Sequence, residues 1–579
     1  MNELHLKNFE KNFFYDNNIL VLQDLLSIYY SHKKYPLVYF LAHGNRKNRQ
    51  DAVLFYEMMA LVNLSQYQKA YEIYCLYGTH WLDICHQHKI YWQHVLLFIL
   101  YFRPVQLPGW IEYEVDRNID SVLSKAIDWL YYQKNNYLPE NLPFCQELYK
   151  QYPTLNNLKV KAFDTEENLV SISKMHWKVW ELYNTKNFEK NSCALSKIYD
   201  RDGLRIYTYK HRQIAASMHI LLTDTQCIIL DCGCEITAET EIPIPAESIL
   251  KELGIEKADA LFVSHGHYDH YGSLGQCNDI PCYMTDATWQ IIRLVAPHLY
   301  IKNINIIRQH DTVVIGEFRI NSIPNGHILG SVLFDIYWKN KRIIYTGDFN
   351  LFSQKTCKGL NFVDLEWNKQ PVDVLLIEST YGKHDDVLCL NQYEEIFQHL
   401  CITLLEAGRK LVMPAFAVGR AQELCLLLQP VIANTHYKIL VDGLAVPLTE
   451  FYQSYLGRPI LNSRISVANK TMSIESKFEN YDIIIASSGM LQNESTSYQY
   501  VVKYIRENNI AVLKTGYIDH DEGLLKSIEF RSNINMAFFD IPLSAHANYN
   551  SLIQTLEKLM PDCAIFVHGN GIQNPYKRK

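Results

Sequence analysis

The chain has 579 residues and a formal net charge of −7. Its length predicts about three or four domains, and its composition, 48% hydrophobic and 20% charged, is typical of a globular protein and excludes a disordered or fibrous chain. The mild acidity excludes bulk electrostatic attraction to nucleic acid, so a polyanionic ligand must be held by a local basic groove or by metal ions.

Cysteine usage and apolar runs indicate the compartment. The 14 cysteines include no C-x-x-C pair, which is typical of reduced thiols in a cytosolic chain. The N-terminus lacks the apolar core of a signal peptide. The uncharged apolar run at 94–102 is far shorter than the ~20 residues that cross a membrane. We therefore expect a cytoplasmic protein with no membrane partner.

Glycine content divides the chain into two regions. Residues 1–195 contain Gly44, Gly78 and Gly109, whereas the other glycines lie beyond them. Low glycine content and apolar periodicity, as in 120–133, predict an all-α N-terminal domain over 1–195. The stretches 61–74 and 183–199 resemble helix-hairpin repeats, but their irregular spacing leaves an irregular helical domain as the alternative.

Beyond about residue 200 the pattern changes. Short β-branched runs such as "CIILDCG" and "ADALFVSH" alternate with turns and helical segments. This alternation predicts an α/β fold.

The stretch "LFVSHGHYDHYGSLG" over 261–275 places four metal-ligand residues at the end of an apolar strand: His265, His267, Asp269 and His270. Two histidines two positions apart do not share a helix face. On a loop after a strand, however, both imidazoles can converge on one point while Asp269 and His270 turn toward a neighbouring point. Imidazole favours zinc and carboxylates can bridge two ions, so the cluster can begin two metal sites.

A catalytic zinc site needs ligands from other parts of the chain. Four more candidates each follow an apolar strand or stand in a glycine-flanked turn: Asp231, His327, Asp348 and His568. Taken singly, each residue is more often structural than functional. Their occurrence together in one chain strengthens the metal hypothesis.

At this point the sequence resembles a known family. Asp231, the cluster His265 to His270, His327 and Asp348 match, in order, the four motifs of the metallo-β-lactamase fold. Glu378 in "LLIESTYG", His546 in "SAHAN" and His568 in "FVHGN" resemble motifs A, B and C of the β-CASP nucleases. The likeness covers about residues 200–579.

The resemblance implies a fold and its boundaries. We expect an α/β protein in which a metallo-β-lactamase αββα sandwich carries an inserted α/β β-CASP cap and follows the all-α N-terminal domain. The sandwich would span 196–384 and resume at 541–579, and the cap would span 385–540. The active site would lie in the cleft between sandwich and cap.

The resemblance also implies the metals and the catalytic residues. Two Zn²⁺ ions are expected, with Mn²⁺ as the alternative metal. The first would be held by His265, His267 and His327, and the second by Asp269, His270 and His568, with Asp348 bridging them. His546 would be the general acid, Glu378 would orient it, and Asp231 would orient metal ligands. The expected catalytic set is therefore His546, Glu378, Asp269 and Asp231.

Motif details in the family indicate the substrate. Histidine at position 568 accompanies RNA cleavage, and "SAHA" favours the endonuclease of the pre-mRNA cleavage factor and its prokaryotic relatives over ribonuclease J. We expect a zinc-dependent endoribonuclease acting on single-stranded RNA. The alternatives are a 5′-exoribonuclease, a DNA-acting nuclease, a non-nuclease hydrolase of this fold, and a scaffold subunit that binds a protein partner through its helical domain.

Two cap residues are candidate substrate contacts, Arg420 and Ser488. Arg420 stands at a predicted helix start, where it could hold a backbone phosphate, or it could instead pair with Glu423. The chain also departs from the family, with Asn548 where an aspartate is usual and Asn570 where a glutamate is usual. These departures leave the proposed ligands and the acid in place.

Overall fold

The computed structural model of the chain describes residues 3–14, 21–45, 51–64 and a few positions up to 73, then 195–210, 216–236, 241–366, 370–382, 388–469, 471–491, 494–504, 510–516 and 537–569. The chain forms two compact units, Met1–Ser173 and Lys174–Lys579. The apolar run at 94–102, the periodic segment 120–133 and Asn570 lie outside the described residues.

The described part of the first unit is helical, as predicted. Its helices are α1 (Glu3–Phe14), α2 (Leu22–Ser31), α3 (Tyr35–Gly44) and α4 (Asp51–Asn63). Helix α2 buries Leu22, Leu25, Leu26 and Tyr29 at the spacing of one helix face, and the Tyr29 hydroxyl donates to Glu10 Oε1 at 2.6 Å. The repeat interpretation stays untested over most of its length. It is wrong at the end of the 183–199 stretch, because a β-strand begins at Leu195 and pairs with the strand after it.

The second unit begins with a seven-stranded sheet in the order β1-β2-β3-β4-β7-β8-β9. Its strands are β1 (Leu195–Arg201), β2 (Leu204–Tyr209), β3 (His219–Leu222), β4 (Cys227–Leu230), β7 (Ala260–Phe262), β8 (Cys282–Thr285) and β9 (Ile304–Ile307). The small hairpin β5 (Cys234–Ile236) and β6 (Glu241–Pro243) lies outside this sheet. The strands from β4 to β9 pair in parallel, so their carboxyl ends meet at one edge.

A six-stranded sheet follows, in the order β10-β11-β12-β13-β14-β21. Its strands are β10 (Thr312–Ile315), β11 (Phe318–Pro324), β12 (Val332–Trp338), β13 (Lys341–Tyr345), β14 (Val374–Glu378) and β21 (Cys563–Val567). Both β13 and β21 run parallel to β14. The carboxyl ends of these three strands therefore lie side by side.

The two sheets pack face to face. Ile228, Leu230 and Phe262 from the first sheet share a buried cluster with Phe334 and Ile343 from the second, and the rings of Phe262 and Phe334 are 5.3 Å apart between centroids. Burying a side chain of this size contributes about 1.5–3 kcal/mol. This shared core is the middle of a sandwich.

Helices cover the outer faces of both sheets. Against the first sheet lie α5 (Ala246–Glu252), α6 (Tyr268–Tyr271) and α7 (Asp286–Val295), and against the second lie α8 (Val363–Glu366) and α14 (Tyr549–Leu559). The layer order is helix, sheet, sheet, helix. The predicted fold class, an αββα sandwich of the metallo-β-lactamase type preceded by a helical region, is confirmed.

The residues between β14 and β21 build a third sheet, in the order β17-β16-β18-β15-β19-β20 with every pair parallel. Its strands are β15 (Lys410–Pro414), β16 (Ile439–Asp442), β17 (Ile465–Val467), β18 (Ile483–Ala486), β19 (Ile510–Lys514) and β20 (Ala537–Asp540). Its helices are α9 (Leu390–Glu406), α10 (Arg420–Ile432), α11 (Ala445–Leu456), α12 (Ile474–Asn480) and α13 (Thr496–Tyr504). This topology supports the predicted insertion, whose limits stay a prediction.

Candidate metal centre

The candidate ligands follow strands whose carboxyl ends meet. Asp231 follows β4 and His265 stands just beyond β7, two parallel neighbours in the first sheet. Asp348, Glu378 and His568 stand at or just beyond the ends of β13, β14 and β21, parallel neighbours in the second sheet. The topology thus gathers residues that are as far apart in sequence as 231 and 568.

Three imidazoles form the first ligand group. His267 Nδ1 lies 3.1 Å from His265 Nε2 and 3.0 Å from His327 Nε2. The carboxylate of Asp348 completes the group, with its Oδ2 3.6 Å from His265 Nε2 and 3.7 Å from His327 Nε2. A tetrahedral zinc with Zn–N bonds of about 2.1 Å holds its nitrogens ~3.4 Å apart. The observed spacing is within a few tenths of an ångström of that value.

The opposite ring nitrogens determine which nitrogen can bind a metal. His327 Nδ1 lies 3.1 Å from the Ala545 carbonyl oxygen, and His267 Nε2 lies 3.4 Å from that of Val418. A carbonyl oxygen only accepts, so each ring donates N–H there and keeps an unprotonated nitrogen toward the group. Val418 follows β15, so a loop of the third sheet orients a candidate ligand held by the first sheet.

Burial keeps these imidazoles neutral. It is the largest cause that lowers the pKa of His265, His267 and His327, and for His265 and His327 neighbouring imidazoles lower the pKa further, to well below its usual value. Neutral imidazole is the form that binds a metal ion. The group therefore presents three nitrogens that could bind a metal ion at neutral pH.

The second ligand group is Asp269, His270 and His568. Asp269 Oδ2 lies 3.8 Å from His270 Nε2 and 3.5 Å from His568 Nε2. Asp348 Oδ2 also reaches this group, at 3.3 Å from His270 Nε2 and 4.0 Å from His568 Nε2. Asp348 therefore lies between the two groups, in the position of a bridging carboxylate.

Asp231 lies beneath the second group and is fully buried. Its Oδ1 accepts the Ser264 backbone N–H at 2.7 Å, and its Oδ2 accepts the hydroxyls of Ser264 and Tyr345 at 2.7 and 2.6 Å. The same Oδ2 lies 2.8 Å from His270 Nδ1. This carboxylate fixes the His270 ring so that its Nε2 faces Asp348.

Sequence reasoning missed three residues that support these ligands. Tyr345 is the last residue of β13, directly before the motif that ends in Asp348, and that position was an available signal. Ser264 precedes the histidine cluster, and its hydroxyl also lies 3.0 Å from His265 Nδ1. Ser217 Oγ, 3.2 Å from His568 Nδ1, is separated from it by 351 residues and carries no local signal.

Two buried atoms among the described residues test whether a metal fits. His270 Nε2 and Asp348 Oδ1 have no hydrogen-bond partner there, and an unsatisfied buried polar atom costs about 1–3 kcal/mol. Burial alone would raise the pKa of Asp348, but the imidazoles of His270, His568 and His546 hold it well below its usual value, so the carboxylate is ionised. Nitrogen and carboxylate donors suit zinc. The residues therefore fit divalent cations.

A third group places His546 beside Glu378. His546 Nδ1 lies 3.0 Å from Glu378 Oε2 and 3.7 Å from Asp348 Oδ2. The buried Glu378 is itself held, since it accepts the Phe349 N–H at 2.8 Å and the Thr380 hydroxyl at 2.7 Å. Burial lowers the pKa of His546, but the charges of Glu378 and Asp348 outweigh it and raise the pKa to about 9. The raised pKa favours the protonated form of the His546 ring at neutral pH.

The two candidate substrate contacts, Arg420 and Ser488, belong to none of the ligand groups. Arg420 begins α10 and is 8% exposed, and its side chain makes no hydrogen bond or ion pair with any described residue. The Glu423 carboxylate accepts the backbone N–H groups of Lys355 at 2.6 Å and Thr356 at 3.0 Å. Its charge also acts on Arg420, since burial lowers the pKa of Arg420 and Glu423 raises it. The alternative pairing with Glu423 therefore stays open. Ser488 follows β18 and its Oγ accepts the Met490 N–H at 3.1 Å.

Asn548, one of the departures from the family pattern, caps a helix. Its side chain accepts the Ser551 N–H at 2.9 Å at the start of α14, two residues after His546. Asparagine and aspartate are equally good at this position. The departure therefore preserves the local backbone that carries His546.

Within the described ranges, no helix combines the length and the apolar content needed to cross a membrane.

Comparison with known proteins agrees with the fold. Residues 226–413 match the family described as "Beta-lactamase superfamily domain". The chain is 28% identical over 411 residues to "Probable RNase MJ4" of Methanocaldococcus jannaschii, an alignment that covers 62% of this chain and 92% of that protein.

Two eukaryotic relatives match the same part of the chain. "Endoribonuclease YSH1" of Kluyveromyces lactis is 25% identical over 455 residues, which is 66% of this chain and 57% of that protein. "Integrator complex subunit 11" of Danio rerio is 25% identical over 396 residues, 59% of this chain and 65% of that protein. The chain thus spans less than two thirds of both. The predicted resemblance to metallo-β-lactamase-fold nucleases is confirmed.

Proposed function

From the match of residues 226–413 to the beta-lactamase superfamily domain, we propose that this chain is a zinc-dependent ribonuclease hydrolysing phosphodiester bonds of single-stranded RNA. One observation carries the proposal. Asp348 Oδ2 lies within 4.0 Å of five imidazoles, so both ligand groups and the candidate acid share one carboxylate. The five are His265, His270, His327, His546 and His568.

Two zinc ions are assigned to the two ligand groups. His265, His267 and His327 would hold the first and Asp269, His270 and His568 would hold the second, with Asp348 available to both. When bound, two zinc ions would lower the pKa of a water molecule toward neutrality, which supplies a nucleophile, and would stabilise charge on the phosphate. The buried carboxylate of Asp348 keeps the ligand groups adjacent, and Asp231 holds His270 in the metal-binding orientation.

His546 acts as the general acid. Hydrolysis leaves a 3′-oxygen that needs a proton, and the protonated His546 imidazole supplies it. Its 19% exposed side chain is more accessible than those of His265 and His327, which are fully buried. Glu378 accepts from Nδ1 and so directs the remaining ring N–H away from itself. The acid is thereby positioned by a residue that does not touch the substrate.

The relatives and the cap support an RNA substrate. "Probable RNase MJ4" and "Endoribonuclease YSH1" are ribonucleases by name, which favours endonucleolytic cleavage of RNA here. Because the whole chain is acidic, the metals and individual cations must hold the polyanion. The guanidinium of Arg420 is assigned to a backbone phosphate, and Ser488 to a weaker polar contact.

The helical N-terminal unit is assigned to partner binding. "Integrator complex subunit 11" is a subunit of a complex by name, and helical arrays commonly bind proteins. A pull-down with full-length protein and with residues 196–579 tests this role. Partners retained equally by both would assign binding to the nuclease part instead.

Metal analysis followed by digestion of labelled nucleic acids tests the ribonuclease. Purified protein should hold about two zinc ions per chain and should cut both 5′- and 3′-labelled single-stranded RNA internally. Release of single nucleotides from the 5′ end would identify an exonuclease, and faster DNA cleavage a DNA-acting enzyme. Cleavage by His267→Ala or His546→Ala at the wild-type rate would refute the mechanism.

A further inference from the structure

Phe416 lies in the loop between β15 and α10 and is half-buried, whereas its neighbours Ala415 and Val418 are buried. It belongs to none of the hydrophobic clusters formed by the described residues. Its ring centroid lies 6.4 Å from that of His267, with an interplanar angle of 48°. An aromatic ring with exposed surface thus stands beside a candidate metal ligand.

Two glycines support this ring from the neighbouring strands. Gly489 follows β18 and Gly516 follows β19, and both strands pair directly with β15. A Cβ on Gly489 would lie 2.7 Å from Phe416 N and 3.1 Å from its Cδ2, and one on Gly516 would lie 3.3 Å from its Cε2. The backbone of Gly489 and Gly516 therefore packs against one side of the Phe416 ring, and a side chain at either position would displace the ring.

We propose that Phe416 is a stacking platform for a nucleobase next to the scissile phosphate. The proposal rests on the ribonuclease function and specifies how the substrate is held. The carboxyl edge of a parallel sheet is where such folds bind ligands, and this edge contacts the metal centre through the Val418 carbonyl oxygen. Stacking on an aromatic face needs an unpaired base and tolerates any base. It therefore selects single strands over duplexes without reading sequence.

A double-mutant cycle that combines removal of the Phe416 ring with removal of one RNA base tests the platform. The full-length zinc-loaded protein is assayed on single-stranded RNA oligonucleotides in which one position at a time near the cleavage site carries an abasic ribose. Wild type should lose about tenfold in kcat/KM when one particular base is missing, the effect of losing one stacked base. Phe416→Leu keeps an apolar side chain without an aromatic face. Its kcat/KM on intact RNA should already be about tenfold below that of wild type, and it should fall little further on the abasic RNA.

Two variants keep the test decisive. Phe416→Tyr retains the aromatic face and should retain the abasic effect. Phe451→Ala removes a half-buried phenylalanine of α11 that contacts Tyr452 and Tyr455, and should leave the effect unchanged. Zinc content and melting temperature are measured for each variant.

The outcomes separate the platform from the ribonuclease function. If Phe416→Leu and wild type lose the same factor on the abasic RNA, or if wild type loses nothing at any position, the platform is refuted while the ribonuclease stands. If zinc-loaded wild type cuts none of the RNAs, the ribonuclease function itself is refuted, and the platform with it.

Discussion

Replacing Asp231 by asparagine should weaken zinc binding without removing a metal ligand. The backbone of Asp231 has a φ of +57°, a region that asparagine adopts as readily as aspartate. The amide oxygen can still accept the Ser264 N–H. The amide NH₂ group, however, replaces the oxygen that faces the Ser264 hydroxyl, the Tyr345 hydroxyl and His270 Nδ1.

The expected loss of zinc affinity follows from replacing this hydrogen-bond acceptor by a donor. An NH₂ group donates to His270 Nδ1, so the proton moves to Nε2, the atom that faces Asp348 and would bind the metal. Residues that orient metal ligands are worth about 10–100-fold in metal affinity. Because one oxygen serves three donors here, we expect a loss near 100-fold, about 2.8 kcal/mol. Zinc affinity should decrease at the second ligand group and stay unchanged at the first.

Competition for zinc with a chromophoric chelator measures the two affinities. Asp335→Asn is the matched control, since Asp335 is a buried carboxylate that accepts Arg342 Nε at 2.8 Å and the Tyr337 hydroxyl at 2.9 Å, away from the metal centre. Breaking that buried pair should cost about 3–5 kcal/mol of stability with zinc affinity unchanged. Wild-type zinc affinity at both sites in Asp231→Asn would refute the reasoning.

Four further predictions concern the acid and its orienting carboxylate, a close contact and the cap. Glu378→Gln removes a negative charge beside His546 and so lowers the pKa of that ring. Because the general acid must be protonated, activity is lost as pH rises through this pKa, and the alkaline limb of the kcat–pH profile should move to lower pH. An unmoved limb would contradict the assignment of His546 as the general acid. His546→Ala should lower kcat by about 10²–10⁴-fold with zinc content unchanged. Gly233→Ala should lower both the melting temperature and the zinc content, because its Cβ would lie 1.7 Å from the Asp269 carbonyl oxygen; a wild-type melt would contradict that geometry. Arg420→Ala should reduce kcat/KM on single-stranded RNA and lower the slope of log K against log salt by about 0.7, whereas an unchanged slope removes Arg420 from the phosphate contacts.

The sequence by itself determined the fold class and the candidate ligands. Each ligand stands in a short motif at or just beyond a strand end, as His265 does beyond β7 and Glu378 at the end of β14. Residue type and local pattern suffice for such a prediction, because imidazole and carboxylate groups after an apolar strand are chemically distinctive. The helix prediction for 183–199 was wrong at its end, because the apolar spacing of a short stretch does not distinguish a helix from a strand. Residues from Leu195 onward pair with the next strand instead.

Only the tertiary structure decided how these residues act on one another. The contacts that orient the rings join residues far apart in the chain: His267 to Val418 across 151 residues, His327 to Ala545 across 218, and His568 to Ser217 across 351. Local sequence cannot encode such contacts, because they depend on which strands become neighbours and on how the third sheet lies against the sandwich. The same packing buried Arg420 and placed Phe416 beside His267, since burial and ring contacts are properties of the folded chain.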